Sequence, residues 1–187
     1  IPIDLSAAEI SVRLGTTWIP QEDIQQFVME LLTPSQYARG KIKVRYTEFN
    51  GDWFIENKSS DFDNVKANST YGTKRASAYR IIEDTLNLRD VRIFDYVYDE
   101  HGNKKAVFNA KETTAAQAKQ EAIKQAFADW IWKDPERRNR LVRYYNDTFN
   151  CIRPREYDGS HITFGGISPE ITLKPHQVNA IAHLSLI

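Results

Sequence analysis

The chain has 187 residues, 41% of them hydrophobic and 12% aromatic, and its 25 basic and 25 acidic residues give a formal net charge of zero. This composition suits one compact domain, or one domain with an arm. The balanced charge excludes a global electrostatic attraction to nucleic acid or membrane, so a polyanion would need a local basic patch. The single cysteine, Cys151, excludes an internal disulfide and favours an intracellular location. No apolar run is long enough to predict a transmembrane helix, and the missing initial methionine suggests an excised fragment.

The first forty residues predict two helices. Ser6 and Glu9 have the spacing of a capping box, which predicts a short first helix. Pro20 then opens a second helix, in which acidic residues occupy the first turn and apolar residues recur at helical spacing. Residues 34–40, bracketed by a proline and a glycine, are expected to form a loop.

A β-hairpin is predicted next. Residues 41–46 alternate between polar and apolar, Asn50-Gly51 is a turn signal, and residues 53–55 form the returning strand. The polar stretch 58–69 predicts a loop. Thr73 is the expected N-cap of the helix that follows.

The remaining patterns predict a second hairpin and two helices. Residues 91–98 and 104–108 are the two strands of this hairpin. A long helix is expected over residues 114–132, with Thr114 beginning a capping box, and Asp134-Pro135 restarts a helix that runs to about residue 149.

The sum is an α+β fold of short antiparallel hairpins with flanking helices. We expect a domain over residues 1–150 and an extended C-terminal arm over residues 151–187. The arm ends in a helix that begins at Pro175.

Catalytic signatures are incomplete in this chain. It has no phosphate-binding loop, no dinucleotide fingerprint, no nucleophile elbow and no zinc-protease motif, and its scattered histidines predict no metal site. Asp52, Glu56 and Lys58 resemble the residues of a magnesium-dependent nuclease. The spacing is shorter than usual, so solvated polar residues of a hairpin are the favoured alternative.

Two basic groups could contact DNA. Lys74 and Arg75 follow a glycine at an expected helix start, where they could hold a phosphate, although simple helix capping is the favoured alternative. The densest basic run is interleaved with tyrosines, a mixture that suits backbone clamping and base stacking. A solvated helix face paired with nearby acids is an equal alternative. The run consists of Arg137, Arg138, Arg140 and Arg143.

The stretch from Leu173 to His183 begins as a helix, with Pro175 and His176 just before Gln177. A glutamine amide offers one donor and one acceptor, which match N7 and N6 of adenine. Alone, this motif is weak evidence for adenine recognition.

Blocks along the whole chain resemble very large Swi/Snf-type helicases fused to adenine-specific DNA methyltransferases, which occur on bacterial mobile elements and phages. The blocks are residues 8–15, 18–20, 71–75, 84–88, 130–138, 145–150, 153–161 and 173–180. In that family the methyltransferase part lies upstream and the motor downstream. This chain is therefore similar to the segment just before the first motor lobe, and its Leu173–Gln177 block resembles the glutamine motif of superfamily-two motors.

The resemblance implies that Gln177 contacts the adenine of ATP in the parent enzyme, with Pro175 and His176 shaping the turn. It also implies that the parent uses ATP with magnesium and S-adenosylmethionine as cofactors. The parent's helicase and methyltransferase domains would be the intramolecular partners of this segment. The implied location is the bacterial cytoplasm, without membrane contact. The chain lacks the phosphate loop, so we expect this fragment to need no cofactor and to be non-catalytic, packing on the motor and guiding DNA. The alternatives are an independent DNA-binding or protein-interaction module and, less favoured, a small metal-dependent nuclease.

Overall fold

A computed structural model describes residues 3–150, which form five α-helices and two separate antiparallel hairpins. The predicted α+β class is confirmed. The C-terminal arm and its closing helix lie outside the described residues. The elements in chain order are α1 (Gln21–Leu32), α2 (Gln36–Lys41), β1 (Lys43–Thr47), β2 (Asp52–Glu56), a 3₁₀ turn (Lys58–Asp61), a π-helical turn (Lys66–Thr70), α3 (Ala78–Leu86), β3 (Phe94–Tyr98), β4 (Lys104–Phe108), α4 (Ala110–Ile131) and α5 (Pro135–Thr148).

Several predicted boundaries were wrong. Residues 36–41 are helical rather than a loop, and the stretch 58–69 contains the two short helical turns. Helix α3 is capped by Ser77, not Thr73, and α4 is capped by Asn109, not Thr114. The first predicted helix is only a turn, in which Glu9 accepts hydrogen bonds from the backbone N–H and the hydroxyl of Ser6.

The hydrophobic core lies between α1, α3, α4 and the inner face of the first hairpin. Phe27 of α1 meets Phe127 of α4 edge-to-face, with ring centroids 5.1 Å apart. The first hairpin contributes Trp53 and Ile55, which alternate along β2 with exposed residues, as its period of two predicts.

Side chains from two helices close both edges of the first hairpin. On the β1 edge, Gln25 of α1 accepts a hydrogen bond from the N–H of Val44 at 2.6 Å and donates one to the carbonyl of Ile42. On the β2 edge, Glu83 of α3 accepts from the N–H of Ile55 at 2.8 Å. The N–H groups of this ladder are therefore satisfied on its outer sides, as buried backbone groups require.

Helix α4 binds the extended chain that precedes the second hairpin. The buried side chain of Gln120 accepts from the N–H of Val91 and donates to the hydroxyl of Thr85 and the carbonyl of Arg89. None of the helices within residues 3–150 is long and apolar enough to cross a membrane.

Candidate functional site

Arg137, a predicted DNA contact, is a buried structural residue. Its side chain is only 5% exposed, and its guanidinium donates to the carbonyls of Ile131 and Trp130 at 3.0 and 2.6 Å. The same group lies 3.5 Å from the centroid of the Trp130 ring. It therefore satisfies the carbonyls at the end of α4, and its donors are used within the fold rather than presented to DNA.

The other arginines of α5 differ in how far they are committed within the fold. Arg140 donates to the buried carboxylate of Asp23 at 2.6 Å, and this hydrogen bond raises the pKa of Arg140. Arg143 pairs with Asp147 at 2.8 Å and approaches Asp4 at 3.6 Å. Arg138 is exposed, and its side chain makes no hydrogen bond or ion pair within residues 3–150. The run is thus not a strip of free cations.

Lys74 and Arg75 do not form a phosphate site at a helix start, because α3 begins only after Ser77. Arg75 instead binds the base of the second hairpin, with 2.6 Å to the carboxylate of Asp95 and 2.9 Å to the carbonyl of Phe94. The hydrogen bond from Arg75, supported by one from Asn109, lowers the pKa of Asp95. Lys74 is exposed.

The nuclease residues are not brought together. Asp52 and Glu56 lie four residues apart on one strand, a separation of about 13 Å. Glu56 pairs with Arg45 at 3.2 Å, and Lys58 pairs with Glu83 at 2.7 Å. Within residues 3–150 no three His, Cys, Asp or Glu side chains are placed to share a metal ion. The geometry favours the alternative of a solvated hairpin face.

The second hairpin, β3–β4, is the most conspicuous surface feature. Every residue from Tyr96 to Phe108 is exposed, so neither face of the hairpin is covered by the described part of the chain. One face carries Tyr96 beside the edge-to-face pair of Phe94 and Phe108, whose centroids are 5.8 Å apart. The opposite face carries Val97 and Val107. Apolar side chains therefore face solvent on both sides.

Among the contacts made by residues 3–150, those that hold the hairpin lie at its base, where Arg75 binds β3 and Asn109 donates to Asp95 at 2.8 Å. Its ladder leaves the outward N–H and C=O groups of Tyr96, Tyr98 and Ala106 without a strand partner, because the hydrogen-bonded pairs alternate with them. Sequence analysis predicted these strands but not their exposure. The sequence did carry a signal of this exposure: aromatic and β-branched residues occupy the alternating positions of both faces, so neither face of the hairpin is purely polar.

Gln177, Pro175 and His176 lie outside the described residues, so the adenine-contact role of Gln177 stays a prediction. The same holds for the ATP, magnesium and S-adenosylmethionine of the parent enzyme.

By its fold the described chain is a small α+β domain with a projecting hairpin. Residues 13–151 match the family model DUF8437, described as a domain of unknown function, and the chain belongs to that family. No curated protein and no solved structure matches the chain.

Proposed function

We propose that this domain is a non-catalytic accessory module of a large DNA-processing enzyme, an ATP-dependent DNA helicase or translocase with adenine-methyltransferase parts. In this proposal the β3–β4 hairpin docks onto another domain of the same enzyme. The observation that carries the docking role is the exposure of apolar side chains on both faces of that hairpin. The identity of the parent enzyme rests on the sequence resemblance.

An isolated two-stranded hairpin is marginally stable in water, and contiguous exposed apolar surface marks an interaction site. Tyr96, Tyr98 and Phe108 are 60%, 71% and 52% exposed, although aromatic residues gain most from burial. Aromatic side chains are enriched at the cores of protein interfaces, and the hairpin has that composition.

The charges of the hairpin favour a protein surface over nucleic acid as its partner. Lys104 and Lys105 on β4 are balanced by Asp99 and Glu100 at the turn, while a nucleic-acid site needs an excess of cations. The ammonium of Lys104 also lies 4.1 Å from the centroid of the Tyr96 ring, where a stacked base would have to sit.

The docking role is tested in the full-length enzyme with Tyr96→Ser combined with Val107→Ser, one residue from each face of the hairpin. We expect DNA-stimulated ATP hydrolysis to fall at least about tenfold, because buried interface anchors are each worth about 1–2 kcal/mol or more. The isolated chain should keep its melting temperature, since both side chains are exposed.

The matched control is Phe49→Ser with Phe62→Ser, which removes two exposed aromatic residues from other parts of the surface. Equal activity of the two double variants would reject docking through the hairpin. A parent reading frame without a phosphate-binding loop downstream would reject the helicase context itself.

DNA guiding is a second proposal, and it rests on the exposed side chains of Lys133 and Arg138 at the junction of α4 and α5. The double variant Lys133→Glu/Arg138→Glu is expected to weaken duplex DNA binding. It should also make the plot of log binding constant against log salt concentration less steep by about 2, because each phosphate contact contributes about 0.9 to the magnitude of that slope. Fluorescence anisotropy across a salt series measures both.

The control for DNA guiding is Arg39→Glu/Lys43→Glu, an equal change of charge on exposed residues of α2 and β1. Equal weakening by the two double variants would show a general charge effect, and no DNA binding at low salt would end the proposal. Variants of Arg137 and Arg140 are unsuitable here because both side chains support the fold.

A further inference from the structure

A cavity of about 290 Å³ lies where residues 12–14, the end of α3 and the second half of α4 meet. Three cationic side chains, Arg13, Arg89 and Lys124, stand around it. Between them the wall is apolar. The apolar wall residues are Val12, Leu14, Leu88 and Ala128.

The cations of this cavity are only partly used by the fold. The guanidinium groups of Arg13 and Arg89 make no hydrogen bond within residues 3–150. Two of the neighbouring acids are already faced by cations, since Glu121 pairs with Lys124 at 2.7 Å and Asp84 faces both Arg80 and Arg89. A third acid, Asp90, lines the cavity. The guanidinium groups of Arg13 and Arg89 therefore retain hydrogen-bond donors in the forked geometry that matches carboxylates and phosphates.

The polar wall behind the cavity offers no donor of its own. The amide of Gln120 is already bonded to the backbone of Val91 and Arg89 and to the hydroxyl of Thr85. Because that side chain is 1% exposed and fully engaged, an anion in the cavity would be held by the arginines rather than by its floor.

Leu88, one wall of the cavity, has a backbone conformation that favours glycine. Its φ is +57°, and it occupies the position after the C-cap of α3. The N–H of Leu88 donates to the carbonyl of Thr85, and the N–H of Arg89 donates to the carbonyl of Asp84. This is the Schellman arrangement, in which glycine is the usual residue. Leu88 is 65% exposed, so filling the core does not explain why a strained leucine stands here.

We propose that this cavity binds a small organic anion, a carboxylate or phosphate that carries a short aliphatic group. Arg13 and Arg89 hold the charge, and Leu88 with its apolar neighbours contacts the aliphatic part. This site is separate from the β3–β4 hairpin and does not depend on the proposed function.

The direct test follows the backbone N–H signals of Leu88 and Arg89 by NMR while the chain is titrated with ethyl phosphate or butyrate. Inorganic phosphate lacks the aliphatic part and butanol lacks the charge, so they are the paired comparisons. We expect saturable chemical-shift changes with at least one organic anion. Its affinity should be at least fivefold higher than that of inorganic phosphate or butanol, because the cavity contacts both the charged group and the aliphatic group. The better of the two anions identifies the charged group, and equal or no binding of all four probes overturns the proposal.

Variants separate a binding role from a structural one. Leu88→Gly should raise the melting temperature by about 3 °C, because backbone strain at this position is relieved. The same variant should weaken binding of the anion at least threefold. Arg13→Gln/Arg89→Gln should weaken it at least tenfold without a change in melting temperature. Arg39→Gln/Arg138→Gln is the control for charge. Unchanged affinity in both Leu88→Gly and Arg13→Gln/Arg89→Gln would overturn the proposal.

Discussion

Gly72→Ala is expected to destabilise the domain by about 3 kcal/mol and to lower its melting temperature by about 6–12 °C. A β-carbon at Gly72 would lie 2.0 Å from the carbonyl oxygen of Ala67 and 2.9 Å from the backbone nitrogen of Ala78. Neither neighbour can move aside easily, because Ala67 belongs to the π-helical turn and Ala78 is the first residue of α3. Thermal unfolding followed by circular dichroism measures the loss.

Gly40→Ala is the matched control for this prediction. Gly40 lies inside α2 with an ordinary backbone conformation, and a β-carbon there would meet nothing within 4 Å. Alanine is the better helix former, so this variant should gain about 0.5–1 kcal/mol. A Gly72→Ala protein that melts within a degree of the natural chain would show that the segment between the π-helical turn and α3 is not tightly constrained.

Arg137→Ala is expected to cost about 2–4 kcal/mol, while Arg138→Ala, one residue away, should stay within about 0.5 kcal/mol of the natural chain. The first variant leaves the carbonyls of Trp130 and Ile131 without their donor and removes the cation from the Trp130 ring. The second removes an exposed side chain with no partner in the described chain. Urea unfolding at equal protein concentration compares the two.

Arg137→Lys gives a finer test of the same contact. A lysine ammonium can place charge near the ring but cannot reproduce the planar fork that reaches both carbonyls. The stability of the Arg137→Lys protein should therefore fall between those of Arg137→Ala and Arg138→Ala. If Arg137→Ala and Arg138→Ala unfold at the same urea concentration, the guanidinium does not stabilise the end of α4. DNA-binding measurements on Arg137 variants would then become interpretable again.

Local sequence signals predicted much of the fold because their chemistry is local. Asn50-Gly51 marks the first hairpin turn, with Gly51 at φ +71°, and Asp134 caps α5 through a hydrogen bond from the N–H of Arg137, as its place before Pro135 indicates. Helix starts failed where two capping residues compete. Thr73 does accept hydrogen bonds from the N–H groups of Arg75 and Ala76, but that turn does not propagate into α3.

The interaction surfaces were harder to predict because they depend on which side of an element packs inward. Arg137 and Arg138 are identical side chains in adjacent positions, and only the packing of α5 on α4 buries one and exposes the other. Thr114 was expected to begin α4, yet its hydroxyl bonds back to the carbonyl of Ala110 inside the helix. The cavity beside Leu88 joins residues more than a hundred positions apart in the chain, so no local pattern could indicate it.

The closed edges of the first hairpin have a consequence for assembly. Gln25 and Glu83 occupy the positions along β1 and β2 where the backbone of another strand would bind, so this ladder cannot be extended. The outward backbone groups of Tyr96, Tyr98 and Ala106 have no such cover within residues 3–150. Strand addition, whether by a specific partner segment or by self-association at high concentration, is therefore directed to the edges of the second hairpin and away from the first.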